Sequence, residues 1–229
     1  LHRPIARRAR HETAAGRPEN RLAAMGAAMT AGYGIELDRQ PSADGEVMVF
    51  HDYSLHRLTE ETGPVKGRTA AELSNVALRG GDEGIPTLAE VLALVDGRAP
   101  LLIEIKDQDG AMGPDVGPLE QAVCAALRGY DGPVALMSFN PHSVLKCAEF
   151  APDIPRGLVT DPFKALAPDA PVLREDLQGQ TEGAHGPRKH HNHISTWEMG
   201  DEDGTEAAIA EAEGAADAMI GHHPAPPSP

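Results

Sequence analysis

Two acidic residues and a histidine end two successive apolar segments in the stretch GIELDRQPSADGEVMVFHD (34–52). Glu36 and Asp38 are two residues apart, so on an extended strand their side chains point to the same side. His51 follows at the end of the second apolar segment. The pattern predicts two neighbouring strands whose ends bring carboxylates and an imidazole close together.

A third acid and a cation occupy another apolar segment, PLLIEIKD (100–107), with the same two-residue spacing. These residues are Glu104 and Lys106. Carboxylates are the hard oxygen donors that Mg²⁺ and Ca²⁺ prefer, and a bound divalent cation would explain why mutually repelling acids share one place. A lysine supplies a point charge for a phosphate, and a histidine exchanges a proton near neutral pH. Together these groups suggest phosphoryl transfer.

The elements that must position these groups alternate between strand-like and helix-like patterns up to residue 160. Strands are predicted at 4–6, 33–38, 46–52, 100–107, 132–140 and 156–160. This alternation is typical of parallel βαβ units, and both a doubly wound sheet and a barrel fit it. Because strand ends converge on one mouth only in a barrel, a TIM (β/α)₈ barrel is the favoured fold.

Local signals predict where several helices begin. Thr69 and Thr87 are each followed by a glutamate three residues later, which is the capping-box pattern. Pro18 is predicted at the first helical position of the helix that follows it.

Beyond residue 161 the pattern weakens, because prolines and glycines are frequent and no seventh strand stands out. The barrel is therefore expected to be irregular around strand 7. The segment 194–200 is predicted as the eighth strand, 204–221 as a closing helix with a short terminal strand, and 222–229 as an extended tail. Residues 1–229 are read as a single barrel domain.

Composition excludes some classes of protein. The chain has 20 Lys+Arg and 35 Asp+Glu, a net charge of −15, which argues against a nucleic-acid partner. No apolar segment approaches the ~18 residues of a membrane span, and no secretory signal is recognisable, so a cytoplasmic location is expected. Cys124 and Cys147 are predicted to be buried thiols. The histidines of KHHNH (189–193) and the acids of 198–213 are expected to be surface features rather than a transition-metal site and a partner-binding site.

Five segments, in order along the chain, resemble the glycerophosphodiester phosphodiesterases. They are RPENRLAAM (17–25), GYGIELDRQPSADGEVMVFHD (32–52), IPTLAEVL (85–92), PLLIEIKD (100–107) and VALMSFNP (134–141). The resemblance spans residues 4–160 and continues weakly at Thr196-Trp197 and 214–224.

The resemblance implies a TIM barrel that hydrolyses glycerophosphodiesters to glycerol 3-phosphate and an alcohol, with Mg²⁺ or Ca²⁺ as cofactor and a small-molecule substrate. It also implies roles for individual residues. Glu36, Asp38 and Glu104 match metal ligands, His51 and Arg8 catalytic groups, and Arg8, Glu19, Lys106 and Trp197 substrate-binding groups.

One departure from the family pattern concerns catalysis. The family has His-Arg-Gly at the end of the first strand, where this chain has Arg7-Arg8-Ala9. A guanidinium does not exchange a proton as an imidazole does, and alanine resists backbone shapes that glycine adopts. A catalytically impaired barrel that still binds a phosphodiester or a metal is therefore the alternative. An enzyme variant that acts on a lysophospholipid is not favoured, because no apolar segment suited to docking a lipid stands out in the sequence.

Overall fold

The computed structural model describes residues 3–9, 18–108, 110–160, 194–198 and 218–220, with side chains for 5–9, 18–108 and 110–159. Several predicted features lie outside these ranges. They are the histidine-rich segment 189–193, the helix predicted from residue 204, and the tail 222–229. The side chain of Trp197 also lies outside, although its backbone is described.

A parallel sheet with helices between its strands forms the framework. The strands are β1 (Arg3–Ala6), β2 (Gly34–Pro41), β3 (Val47–Val49), β4 (Leu101–Ile105), β5 (Val134–Ser138), β6 (Arg156–Thr160), β7 (Ile194–Glu198) and β8 (Ala218–Ile220). The helices are α1 (Leu22–Thr30), α2 (Ala70–Leu73), α3 (Leu88–Val95), α4 (Pro118–Ala126) and α5 (Pro141–Phe150). The strand order β7-β6-β5-β4-β2-β1-β8 is parallel throughout. This arrangement supports the predicted α/β barrel.

The segments 33–38 and 46–52 were predicted as strands joined by a turn around Asp44-Gly45, and the turn is confirmed. Counting the second of them among the strands of the parallel alternation was wrong. Among the strands of the sheet, β3 pairs with β2, antiparallel, with Val49 opposite Arg39 and Val47 opposite Pro41. An isolated bridge also joins Met48 of β3 to Thr87. The turn at Asp44-Gly45, where Gly45 has a φ of +82°, leaves too few residues for a crossover and makes a hairpin instead. β3 is therefore an arm that extends from β2.

The segment at 194–198 was predicted as the eighth strand of the barrel, and its place in the sheet differs. β7 pairs directly with β6, with Leu158 opposite Thr196, so it is the next strand along the sheet. β8 pairs with β1 and matches the short terminal strand predicted near residue 220.

The capping-box patterns correctly predicted where two helices begin, whereas the prediction based on Pro18 placed the start of a third helix too early. The side chains of Thr69 and Thr87 cap α2 and α3 in capping boxes with Glu72 and Glu90. Helix α1, however, begins at Leu22 rather than near Pro18. Asn20 has a φ of +57°, and this left-handed conformation prevents a helix from running through it.

Alternate residues of the central strands face two different environments. One face of β2 and β4, with Ile35, Leu37, Leu101, Ile103 and Ile105, packs in the main core with residues of the surrounding helices. On the other face, Leu102 packs with Ile5, Ala135, Met137 and Val159 in a separate inner cluster. Glu36, Asp38 and Glu104 belong to this inner face by alternation, beside and beyond Leu102.

The arm that β3 begins carries a small core of its own. Met48, Phe50, Leu55, Val65, Leu73 and Ile85 pack together in the segment 47–87. Two 3₁₀ turns, Leu55–Arg57 and Val65–Gly67, belong to this segment. The arm is therefore a packed unit attached at the mouth of the sheet.

The described helices are short, and the two cysteines are free thiols. The longest described helix, α5, has 10 residues, and no described helix is long and apolar enough to cross a membrane. Cys124 and Cys147 are both free and buried, as predicted.

Candidate active site

Three carboxylates form a buried cluster at the mouth. Glu36 and Asp38 lie on the inner face of β2, and the register of the sheet places Glu104 of β4 opposite Asp38. One oxygen from each side chain lies within 4.8 Å of the others, and all three residues are at most 2% exposed. The predicted carboxylate cluster is therefore present.

The pKa values of these acids diverge because their surroundings differ. Burial, together with the charges of Asp38 and Glu104, raises the pKa of Glu36 to about 8. Burial and the charge of Asp38 also raise the pKa of Glu104. Burial alone would raise the pKa of Asp38, but the charges of Lys106 and His51 and hydrogen bonds from Lys106 and Asn20 outweigh it, so that pKa is lowered.

The donor set of the cluster fits a hard divalent cation. Glu36 Oε1 and Glu104 Oε2 are buried and have no hydrogen-bond partner among the described residues. Buried acceptors of this kind are costly unless something binds them. All three candidate ligands offer carboxylate oxygens, which suits Mg²⁺ or Ca²⁺ better than a soft metal.

Lys106 lies against the cluster, as its spacing from Glu104 predicted. Its Nζ is 2.9 Å from Asp38 Oδ1 and 2.5 Å from Glu104 Oε1. Burial would lower the pKa of Lys106, but the two carboxylates outweigh this and raise it, so the ammonium stays charged. It is therefore a fixed cation beside the carboxylates.

Asn20 orients Asp38, a role that sequence reasoning did not assign. Its Nδ2 donates a hydrogen bond to Asp38 Oδ2 at 3.0 Å, and its backbone N–H donates to the carbonyl of Arg8, also at 3.0 Å. Asparagine tolerates the left-handed backbone found here better than most residues. The segment RPENRLAAM (17–25) contains this residue, but the family resemblance implies a role only for its neighbour Glu19.

The turn after β1 reaches the same cluster. Arg8 and Ala9 have φ values of +51° and +62°, which bend the chain sharply. The Arg8 N–H donates to Glu36 Oε2 at 2.8 Å, and the Ala9 N–H donates to the Glu36 carbonyl at 3.3 Å. Ala9 is therefore in the backbone region that favours glycine, as its place in the family motif predicted.

The side chain of Arg8 connects three groups of the site. Its Nη2 is 2.6 Å from His51 Nε2, its Nη1 is 3.4 Å from Glu19 Oε2, and its Nε is 3.8 Å from Asp38 Oδ2. Arg8 thus lies between the carboxylate cluster and the histidine. Arg7, in the position of the family histidine, is only half-buried.

His51 reaches the mouth because the hairpin doubles back. The Phe50 N–H donates to the Asp38 carbonyl at 3.1 Å, which continues the β2–β3 pairing. His51 Nε2 is then 4.0 Å from Asp38 Oδ1, and His51 Nδ1 is 2.6 Å from Asp52 Oδ1. Because Arg8 can only donate to Nε2, these partners place the imidazole proton on Nδ1, where it is donated to Asp52.

Arg57 links Asp52 to Glu19. Its Nε and Nη2 donate to the two oxygens of Asp52 at 2.6 and 2.8 Å, and its Nη2 and Nη1 donate to those of Glu19 at 2.7 and 3.2 Å. Burial would raise the pKa of Asp52, but hydrogen bonds with His51 and Arg57 outweigh it, so that pKa is lowered. Burial would also raise the pKa of Glu19, but the hydrogen bonds from Arg57 and the charge of Arg8 outweigh it, so that pKa is lowered too. Asp52 stood in a quoted motif without a role, whereas no signal pointed to Arg57.

The residues that sequence reasoning selected are therefore largely brought together. Described side chains at the mouth include those of Glu36, Asp38, Glu104, Lys106, Arg8, His51 and Glu19. The side chain of Trp197 lies outside the described residues, so its role stays a prediction.

The known proteins that this chain resembles fall into two unrelated groups. The family model for the glycerophosphoryl diester phosphodiesterase family matches residues 11–201, beginning just after Arg7-Arg8-Ala9. A glycerophosphodiester phosphodiesterase of Caldanaerobacter subterraneus subsp. tengcongensis is 34% identical over 152 residues, covering 62% of this chain and 61% of that protein. Separately, 75 residues are 53% identical to the carbon monoxide dehydrogenase large chain of Afipia carboxidovorans, covering 33% of this chain and 9% of that protein.

A solved phosphodiesterase of Oleispira antarctica, in complex with the product sn-glycerol-3-phosphate, is similar in structure. Its TM-score is 0.65 and its sequence identity 26%, covering 78% of this chain and 71% of that one. The dehydrogenase similarity spans too small a part of that protein to carry an argument about activity. The family match covers most of this chain and includes the cluster, the lysine and the histidine. The chain belongs to the glycerophosphoryl diester phosphodiesterase family.

Proposed function

We propose that this protein hydrolyses glycerophosphodiesters to glycerol 3-phosphate and an alcohol, in a reaction that depends on a divalent cation. The observation that carries the proposal is the cluster of Glu36, Asp38 and Glu104, with Lys106 in contact and His51 4.0 Å from Asp38. The relatives named phosphodiesterases and the neighbour solved with sn-glycerol-3-phosphate support the substrate class.

Each group has a role that its chemistry suits. Glu36, Asp38 and Glu104 would hold Mg²⁺ or Ca²⁺, which would polarise a phosphoryl oxygen and stabilise its charge. Arg8 and Lys106 bind and orient the phosphate, and Glu19 holds Arg8 through an ion pair. Trp197 is proposed to contact the glycerol end of the substrate.

His51 moves the proton in this proposal. Its Nδ1 is bound to Asp52, so its Nε2 faces the cluster and Arg8. When Arg8 binds the phosphate instead of His51, Nε2 is free to accept a proton from the attacking oxygen and then to pass that proton to the leaving alcohol.

The second candidate is a barrel that binds its ligand but turns it over slowly. The observation that favours it is Arg7, which stands where the family has a second histidine. A reaction that needs two proton-exchanging groups loses about 10²–10⁴ in rate without one of them.

Hydrolysis of glycerophosphocholine separates these candidates. Glycerol 3-phosphate release is measured with Mg²⁺, with Ca²⁺ and with EDTA, for the parent and for Arg7→His. Arg128→His, on an exposed part of α4's C-terminal end, controls for adding an imidazole elsewhere. If the parent hydrolyses glycerophosphocholine and EDTA abolishes this activity, the first candidate, a metal-dependent phosphodiesterase, is supported.

Two other results are informative. Activity in Arg7→His alone, at least 10²-fold above the parent, supports the impaired barrel. If neither protein releases glycerol 3-phosphate but the parent still binds Mn²⁺, the protein binds its ligand without hydrolysing it. If there is neither release nor Mn²⁺ binding, both candidates are contradicted.

A further inference from the structure

The mouth contains a closed ring of charged side chains beside the carboxylate cluster. Arg8 contacts His51, His51 contacts Asp52, Asp52 contacts Arg57, Arg57 contacts Glu19, and Glu19 contacts Arg8. The members come from the turn after β1, the segment before α1 and the arm 47–87. The ring therefore joins three separate parts of the chain.

Arg57 is the member that joins two acids. Its guanidinium binds Asp52 through two donors and Glu19 through two more, the planar fork geometry in which arginine is strongest. A lysine, with a point charge, cannot reproduce this double fork.

The position of Arg57 is fixed by the arm's own core. It ends the 3₁₀ turn Leu55–Arg57, in which Leu55 is fully buried. The Leu55 N–H donates to Gly63 O at 3.0 Å, and Thr59 Oγ1 donates to Leu55 O at 2.8 Å. The guanidinium is therefore presented from a rigid support, although its side chain is 42% exposed.

We propose that Arg57 is a positioning residue: it fixes the Asp52 carboxylate that orients His51, and it holds Glu19 so that Arg8 stays available to phosphate. This inference rests on the proposed function.

The distances support both halves of this role. Glu19 lies 2.7 Å from Arg57 but 3.4 Å from Arg8, so the stronger contact is with Arg57. Without Arg57, Arg8 is the cationic side chain that still contacts Glu19 among the described residues, and Glu19 would pair with it closely, in competition with phosphate. Of the partners that the structure describes, Asp52 would keep His51 and could rotate, so that it would no longer hold the proton on Nδ1.

The expected consequences differ for the two kinetic constants. Loss of the Asp52 support lowers kcat, because the imidazole is no longer held in one tautomer and orientation. Closer pairing of Glu19 with Arg8 raises KM. Removing an outer partner of this kind typically costs about 10- to 100-fold.

The test compares Arg57→Ala, Arg57→Lys and the control Arg68→Ala with the parent. Arg68 lies in the same arm, is 31% exposed and pairs with a single acid, Glu61, so it controls for the loss of a partly exposed, ion-paired arginine that joins no two acids. The proton NMR signal of His51 Nδ1–H and its nitrogen shifts are recorded with Mg²⁺, together with kcat and KM for glycerophosphocholine. Methylguanidinium is then added to Arg57→Ala.

The inference predicts that Arg57→Ala loses the Nδ1–H signal, has a lower kcat and a higher KM, and is partly restored by methylguanidinium. Arg68→Ala should stay within twofold of the parent. An unchanged Nδ1–H signal in a folded Arg57→Ala would overturn the inference. If Arg57→Ala does not fold, Arg57→Lys decides in the same way, since it keeps the charge but not the fork.

Failure of the proposed function would be seen separately. If the folded parent does not release glycerol 3-phosphate, the function is contradicted. The NMR signal of His51, which needs no turnover, then decides on its own whether Arg57 positions the imidazole.

Discussion

The two sides of the mouth are built differently. The carboxylate cluster lies on β2 and β4, strands that are paired over five residues and buried on both faces. The ring of Arg8, His51, Asp52, Arg57 and Glu19 lies on turns and on the arm, and side-chain hydrogen bonds join it.

Because the two sides are built differently, binding of a divalent ion and transfer of a proton should respond differently to substitution. The backbone of the sheet places the three carboxylates, and Asn20 and Lys106, which contact them, do not belong to the ring. The ring depends on each member for the orientation of the next. We therefore expect substitutions in the ring to change catalysis while divalent-ion binding persists.

The largest effect is expected from separating these two functions by substitution. His51→Gln should lower kcat by about 10²–10⁴, because it removes the proton-exchanging group. Binding of Mn²⁺, measured by calorimetry, should remain within twofold. Asp38→Asn should instead lose Mn²⁺ binding, because it removes a charged ligand from the centre of the cluster. Equal loss of Mn²⁺ binding in both variants would show that the two sides form one unit.

Divalent ions should change stability in a pH-dependent way. The pKa of Glu36 is 4.5 in an unfolded chain and about 8 in the fold, so between these values the folded state binds more protons. With EDTA, the free energy of unfolding should therefore fall as the pH rises from about 4.5 to about 8. Mg²⁺ at 100 times its Kd should add about 2.7 kcal/mol.

Thermal unfolding at pH 5, 6.5 and 8, with EDTA and with Mg²⁺, checks this. At one fixed Mg²⁺ concentration the gain should be larger at pH 8, because the cation displaces fewer protons there and its Kd is lower. Glu36→Gln removes the titrating group and serves as the control. A parent whose pH dependence with EDTA equals that of Glu36→Gln would contradict the assignment.

A buried arginine behind the cluster offers a stabilising substitution. Arg39 is fully buried on the core-facing side of β2, and burial lowers its pKa to about 9. Its Nη1 donates to Asp38 O at 2.6 Å, but its Nε and Nη2 have no hydrogen-bond partner among the described residues. Arg39→Met should raise the free energy of unfolding by about 1–3 kcal/mol, because it removes buried donors that have no hydrogen-bond partner among the described residues.

Urea unfolding measures this change, and Arg39→Lys, which keeps a buried charge, is the matched control. A loss of stability in Arg39→Met would mean that the positive charge beside Asp38 is worth more than its burial costs.

The smallest effect concerns the turn that delivers Arg8. Ala9 has a φ of +62° and is 2% exposed, so Ala9→Gly should relieve strain and raise the free energy of unfolding by about 1 kcal/mol. Gly45→Ala is the converse control: its φ is +82° with no atom within 4 Å, so only backbone strain changes and stability should fall. No change in either variant, measured by urea unfolding, would show that these turns tolerate a Cβ.

Features of the fold that depend on residues close together in sequence could be predicted, and features that depend on distant residues could not. The spacing of Glu36 and Asp38, and of Glu104 and Lys106, predicted the shared face, because side chains alternate on any strand. The capping boxes of α2 and α3 are local in the same way. The predicted helix start at Pro18 was wrong, because Asn20 adopts a left-handed conformation that is stabilised by hydrogen bonds with Arg8 and Asp38. Both partners are distant from Asn20 in sequence, so no local pattern predicts these bonds.

The parallel α/β plan, the turn at Asp44-Gly45, the inner-face carboxylates and the likeness to a phosphodiesterase family follow from the amino-acid sequence. The packed arm 47–87, its contact with the mouth through His51, and the link from Asp52 to Glu19 through Arg57 become visible only in the folded chain. The physical reason is that strand alternation is a property of neighbouring residues. The ring, by contrast, is made of contacts between residues up to 43 positions apart, which spacing does not encode.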